Sequence, residues 1–202
     1  MKAPEAAVPM EEIQWRESHN IYQPACRPLP DFLSTIDLIS NDLISNSGNP
    51  PADRPLLVFL EQRCADRMKR HAGQDILREQ AGILCGQAYQ SDERRYVVIE
   101  SAIAVDTLGD AGHFRFHQNS WQGFWTNLSD SHNIIGWYHT HPGMGIFLSA
   151  TDLRTQQLYF SSAWQIAMVI DPISRETGIF YGPLGTRLEE DSCFIYLQKG
   201  PQ

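Results

Sequence analysis

GWYHTHPGMGIFLSATD, residues 136–152, sets two histidines one residue apart, then a serine after seven more residues and an aspartate three positions further on. Side chains in a strand alternate between faces, so His139 and His141 point the same way, with Cβ atoms roughly 6.5–7 Å apart. Two imidazoles on one face can converge on one metal ion. A catalytic zinc takes three protein ligands and leaves a position for water, and a carboxylate suits the third place. Asp152 is the nearest candidate after the turn PGMG, 142–145, where glycine lets the chain reverse. Ser149-x-x-Asp152 is equally a helix-capping pattern, with Ser at the N-cap and an acid three residues on. The two readings are compatible, because a helix start fixes both side chains on rigid backbone.

Working outward, NIIGWYHTH, 133–141, reads as a strand and SATDLRTQQLYF, 149–160, as a helix. Upstream, LLVFL, 56–60, GILCG, 82–86, and YVVIESAIAV, 96–105, have the β-branched, apolar character of strands. Between the first two, residues 61–72 repeat Leu60, Cys64 and Met68 four apart, the spacing of one helical face, with Gly73 as a stop. Downstream, WQIAMVID, 164–171, is an apolar run typical of a buried strand, and GIFYG, 178–182, and CFIYL, 193–197, are further strands. Strands and helices mix without regular βα alternation, which predicts an α+β fold with helices packed on a sheet.

Residues 1–54 differ in character. They hold Pro4, Pro9, Pro24, Pro28, Pro30, Pro50 and Pro51 of the chain's 12 prolines. The echo DLISNDLISN, 37–46, and the apolar residues Phe32, Leu33, Ile36, Leu38, Ile39, Leu43 and Ile44 suggest one short amphipathic helix. SNSGNPPADRP, 45–55, reads as a loop or linker. The expected organisation is an N-terminal extension and linker, 1–54, packed on a domain of residues 55–202, or alternatively a segment that binds a partner or covers the site. Residues 106–131 form a long polar connection carrying Trp121, Phe124 and Trp125, with part of 119–128 expected to be helical. Either these aromatics fill the core or they hold a substrate.

The chain has 202 residues, is 42% hydrophobic and 20% charged, and carries a formal charge of −8. The acidic balance weighs against nucleic acid or an anionic membrane as the main partner. Cys26, Cys64, Cys85 and Cys193 show no Cys-x-x-Cys spacing and are expected to be reduced thiols of a cytoplasmic protein. The N-terminus lacks the apolar region of a signal peptide, and no run approaches the ~18 apolar residues of a membrane span.

His139-x-His141, seven residues, Ser149-x-x-Asp152 resembles the motif of the JAMM (MPN+, or JAB) zinc metalloproteases. In that family a glutamate lies upstream, before a glycine-bearing apolar strand. REQAGILCG, 78–86, offers Glu79 three residues before Gly82, and AMVIDP, 167–172, is similar to the strand that follows the family's zinc helix. The resemblance covers roughly residues 55–198. It implies a JAMM/MPN-like, cytidine-deaminase-like fold, with a mixed, largely antiparallel β-sheet flanked by helices. It further implies one Zn²⁺ per chain held by His139, His141 and Asp152, with Glu79 as general acid and base and Ser149 as oxyanion donor. None of the cysteines is needed as a nucleophile. His113, His117 and His132 are read as surface residues or supports of the ligands, and Trp137, on the histidines' face, as a wall of the site.

The turn HPGMGIFLS and the short segment 182–192 are similar to JAMM isopeptidases of bacterial ubiquitin-like conjugation operons, which are linked to antiphage defence. The implied substrate is a ubiquitin-like protein or its conjugates. Two alternatives stand beside it: a zinc peptidase or amidase acting on a small sulfur-carrier-like protein or a small molecule, and a non-catalytic MPN-type scaffold.

The double reading of Asp152 is testable. Asn caps helices well, and a lost cap costs only about 0.5–2 kcal/mol. Asp152→Asn is therefore expected to fold, yet to lose zinc affinity by orders of magnitude in a competition titration. A metal-replete variant would reduce Ser149-x-x-Asp152 to a plain cap.

Overall fold

Leu56–Leu60 are buried on both faces of a sheet, which is why LLVFL shows no polar alternation. They belong to strand β3 (Leu56–Glu61), which runs parallel to β10 (Cys193–Gln198) on one side and to β5 (Arg94–Val105) on the other. The computed structural model describes residues 23–41, 43–44, 48–92, 94–105 and 133–200. The expected helix within 119–128, the aromatics Trp121, Phe124 and Trp125, and His113, His117 and His132 lie outside these residues.

The remaining strands are β1 (Ala25–Cys26), β2 (Ile36–Ile39), β4 (Ala81–Ser91), β6 (Asn133–Thr140), β7 (Ile166–Asp171), β8 (Glu176–Tyr181) and β9 (Thr186–Arg187). All join one mixed sheet in the order β2-β10-β3-β5-β4-β6-β7-β8-β9, with β1 alongside β4. The β10–β3, β3–β5, β6–β7 and β1–β4 pairs are parallel and the others antiparallel. The expected α+β class with a mixed sheet stands.

Helix α2 (Gln62–Ala72) lies on one face and buries Cys64, Ala65, Met68 and Ala72 against Leu56, Val58, Leu60 and Val97. The opposite face has two halves. Over β6, β7 and β8 it is covered by helix α3 (Ala150–Tyr159) and the segment before it, through Phe160, Ile146 and Leu148. Over β10, β3 and β5 it is covered by helix α1 (Leu29–Ser34), whose Leu29 and Phe32 meet Phe59, Tyr96, Phe194 and Tyr196.

One expectation is corrected. Residues 32–44 do not form a single helix: α1 ends at Ser34, and Ile36–Ile39 is strand β2, antiparallel to β10. The helix stops where the Thr35 hydroxyl bonds back to the Phe32 carbonyl at 2.7 Å. The chain then gains the open edge of β10, and those long-range hydrogen bonds outweigh the local apolar periodicity. Asn41 closes the next turn by accepting the Leu43 and Ile44 N–H groups. Residues 25–39 thus contribute two strands and a helix to the sheet that carries His139. Among the described residues no helix is long and apolar enough to cross a membrane.

Phe32 is 3% exposed and lies 5.0 Å from the Phe59 ring, 5.5 Å from Tyr96 and 5.8 Å from Tyr196. Phe32→Ala is expected to cost about 3–5 kcal/mol in urea denaturation and to leave zinc affinity unchanged. A loss below about 1 kcal/mol would mean that α1 does not seal this face.

Candidate metal centre

Trp137 and His139 project from the same face of β6, while Tyr138 projects from the other into the layer beneath α2. The strand's parallel neighbour is β7, with His139 beside Val169. His141 follows the strand, its backbone N–H held at 2.9 Å by the Ile170 carbonyl. The turn 142–145 reverses the chain, with Gly143 and Gly145 at φ +69° and +83°, a conformation that suits glycine. Ser149 then caps α3. Its hydroxyl accepts the Asp152 N–H at 3.2 Å, and Asp152 Oδ2 accepts the Ser149 N–H at 2.7 Å, a complete capping box.

That same Oδ2 lies 3.4 Å from His139 Nε2 and 3.6 Å from His141 Nε2, and the two imidazole nitrogens are 3.1 Å apart. Donors about 2.0–2.2 Å from a zinc ion, at the corners of a tetrahedron, lie roughly 3.3–3.6 Å from one another. The triangle fits such an ion, and its chemistry, two imidazoles and one carboxylate, is a zinc donor set. All three residues are buried. Cap and ligand geometry coexist on one carboxylate oxygen.

The electrostatics agree. Burial alone would raise the Asp152 pKa, but hydrogen bonds with His139 and His141, the His139 charge and the Ser149 contact hold it well below the usual carboxylate range. Burial would likewise lower the His141 pKa, and the Asp152 carboxylate and the charge of Glu79 together lift it above its ordinary value. An ionised carboxylate facing two imidazole nitrogens makes a pocket suited to a cation.

Glu79 does not join the triangle. Strand β4 pairs antiparallel to β6 with Ala81 beside His139. The pairing continues past the strand's end: Thr140 N–H donates to the Gln80 carbonyl at 2.9 Å, and Gln80 N–H to Thr140 Oγ1 at 2.8 Å. Continued past the strand's end, this register would set Glu79 across from His141, whose pKa its charge raises; Glu79 is half-buried. Tyr138 reinforces the alignment, since any side chain at Gly82 would collide with its ring.

Trp137 takes the expected place as a wall. Its ring stacks on His139 at 4.5 Å and 12°. Its Nε1–H donates to Gln156 Oε1 at 2.9 Å, and Gln156 Nε2 faces the carbonyls of Phe160, Gln165 and Gly182 at 3.0–3.3 Å. Gln156 was not singled out from sequence; its one signal is a position four residues after Asp152, on the same helical face. His139 Nδ1 is buried without a hydrogen-bond partner among the described residues, so on that side of the ring the stack alone supports it, while Nε2 faces His141 and Asp152. Cys64, Cys85 and Cys193 are buried, Cys26 is exposed, and no disulfide joins them among the described residues. Burial pushes the Cys85 thiol up to about 12 and raises Cys64 and Cys193 as well.

The profile of the JAB1/Mov34/MPN/PAD-1 ubiquitin protease family matches residues 55–163. The chain is 27% identical over 139 residues to the 26S proteasome non-ATPase regulatory subunit 14 of Drosophila melanogaster, covering 64% of this chain and 44% of that protein. It is 22% identical over 150 residues to the ubiquitin carboxyl-terminal hydrolase RPN11 of Saccharomyces cerevisiae, 70% of this chain and 47% of that one. With the AMSH-like protease of Mus musculus it shares 34% over 121 residues, 57% of this chain and 26% of that one. The chain thus spans less than half the length of these curated relatives. The solution structure of protein DSY2949 from Desulfitobacterium hafniense shares the fold, with a TM-score of 0.51 at 18% identity over 69% of this chain and 92% of that one.

Gln156→Leu keeps the volume but leaves the Trp137 N–H and three carbonyls without their partner, each worth about 1–3 kcal/mol when buried. We expect stability to fall by on the order of 3 kcal/mol, and zinc affinity to weaken by roughly tenfold as His139 loses its backing. A variant as stable as wild type in denaturant would show that Gln156 is not the anchor.

Proposed function

Because the chain belongs to the JAB1/Mov34/MPN/PAD-1 ubiquitin protease family, we propose that it is a zinc-dependent isopeptidase or peptidase. It cleaves the amide bond that follows the C-terminus of a ubiquitin-like protein, in conjugates or precursors. The observation that carries this reading is the buried triangle of His139, His141 and Asp152, with the charge of Glu79 acting on His141. A scaffold of the same fold has no use for a desolvated carboxylate facing two imidazoles.

His139, His141 and Asp152 would hold the zinc, which when bound would supply an activated water, with its pKa lowered from 15.7 to about 7, and a Lewis acid for the scissile carbonyl. Glu79, on the rim beside His141, takes the attacking water's proton and returns it to the departing amine. The Ser149 hydroxyl spends its acceptor side on the Asp152 N–H. Its proton remains free to donate to the oxyanion of the tetrahedral intermediate, and one such donor is typically worth about 3 kcal/mol. The buried thiols, with pKa values raised by burial, supply no nucleophile.

The substrate belongs, in this reading, to a bacterial ubiquitin-like conjugation system of the antiphage kind, on the similarity of HPGMGIFLS and the brevity of 182–192. Four cysteines that form no disulfide among the described residues support a reducing, cytoplasmic setting. Residues 55–202 act as the metalloprotease domain, and 106–131, with Trp121, Phe124 and Trp125, holds the substrate's tail.

The test is hydrolysis of a ubiquitin-like protein carrying a C-terminal amide-linked extension. Activity should disappear with chelator, return with one zinc per chain and persist after thiol alkylation. Glu79→Gln should lower turnover by at least ~10² and keep its zinc. A variant that loses its metal would make Glu79 a ligand, and activity indifferent to chelator would overturn the reading.

A further inference from the structure

Asp171 ends β7 and is 1% exposed. A buried carboxylate ordinarily meets a cation. The partners of this one are four backbone N–H groups. Oδ1 accepts from Gly143 at 2.9 Å, Ile173 at 2.9 Å and Ser174 at 3.2 Å, and Oδ2 accepts from Gly145 at 3.2 Å. Ile173 and Ser174 belong to Asp171's own turn, and an aspartate that merely shaped that turn would stop there. Gly143 and Gly145 belong to the loop that follows His141, 28 and 26 residues away in sequence.

The loop has a task at the metal centre. The Gly145 carbonyl faces His141 Nδ1 at 3.2 Å. A carbonyl only accepts, so this contact places a proton on Nδ1; in the neutral ring Nε2 is then the nitrogen with the lone pair, and it is the one that faces His139 Nε2 and Asp152 Oδ2. Both glycines adopt positive φ, which turns their N–H groups toward the carboxylate. The preceding residue, Ile170, holds the His141 backbone. One strand end therefore controls both the main chain and the ring of this histidine.

We propose that Asp171 is a positioning residue for the metal centre: by clamping the Gly143–Gly145 turn, it makes the Gly145 carbonyl select the His141 tautomer that presents Nε2. The four N–H groups stabilise its charged form against burial and hold its pKa down at about 2. The clamp stays charged wherever zinc binds. The inference deepens the zinc reading above and rests on it for the identity of the metal.

The test uses the metal-free full chain with ¹⁵N-labelled histidine, at a pH above the histidine range. Wild type should show His141 protonated at Nδ1. Asp171→Asn keeps the shape but turns one acceptor into a donor facing N–H groups. His141 should then become a mixture of tautomers, while amides away from residues 140–148 keep their shifts. Zinc affinity, from competition with a chelating dye, should weaken about 10–100-fold. Asp171→Ala, which removes the misdirected donor, should show the same tautomer change. Wild-type zinc binding checks the metal reading by itself, whereas the tautomer in metal-free protein checks the clamp. A folded Asp171→Asn with the wild-type tautomer and zinc affinity would overturn the inference. So would unfolding of both variants, which would assign Asp171 to the fold.

Discussion

A single oxygen, Oδ2 of Asp152, closes the first turn of α3 and faces both imidazoles of the centre. A carboxylate at 3% exposure is costly unless it is met on every side. Here the Ser149 N–H fixes its rotamer, and the imidazoles supply the opposing charge, by a shared proton or by a metal between them. Removing any one partner leaves the others around an uncompensated charge. The geometry of the centre and the start of the helix therefore cannot vary independently. This explains an oddity of α3, whose buried residues are Asp152 and Gln156 rather than an apolar stripe. The helix is held to the sheet by polar contacts made at the site, with Phe160 just beyond its end supplying the apolar anchor.

The two histidines are aimed by different means. His141 is held through hydrogen bonds that lead to the end of β7. His139 is held by the flat indole of Trp137, which is itself tied to α3 through Gln156. The first device fixes a tautomer as well as an orientation. The second fixes orientation, and among the described residues His139 Nδ1 has no hydrogen-bond partner. Both devices begin on rigid elements, as a site that must hold its donors within a few tenths of an ångström requires.

Much of this was legible in the chain. The interior strands announced themselves because burial on both faces leaves uninterrupted β-branched runs such as LLVFL and IAMVID. The motif residues were legible because histidine, serine and aspartate at fixed spacing have few other reasons to coincide. What failed was the stretch 32–44, where apolar residues suit a helix face and a strand alike; the choice was made by the open edge of β10, which no local pattern reports. Gln156 and Asp171 escaped for a related reason. A glutamine inside a helix and an aspartate before Pro172 look like surface residues until the partners that bury them, from distant segments, are in place.

The distance between the metal ligands and Glu79 is a property of strand register. β4 and β6 pair regularly from Ala81–His139 to Leu84–Gly136, and the irregularity falls beyond, between Leu84 and Cys85. The part of the ladder that positions Glu79 is thus the undistorted part. A slip of one residue would turn every side chain of β4 to the other face, placing Ile83 and Cys85 beneath α2 and setting Gly82 out of line with the Tyr138 ring that packs over it. The apolar pattern of GILCG and the absence of a side chain at Gly82 forbid that slip through core packing, far more firmly than contacts at the rim would. The glutamate proposed as the base is therefore aligned through core packing, and it is itself half-buried.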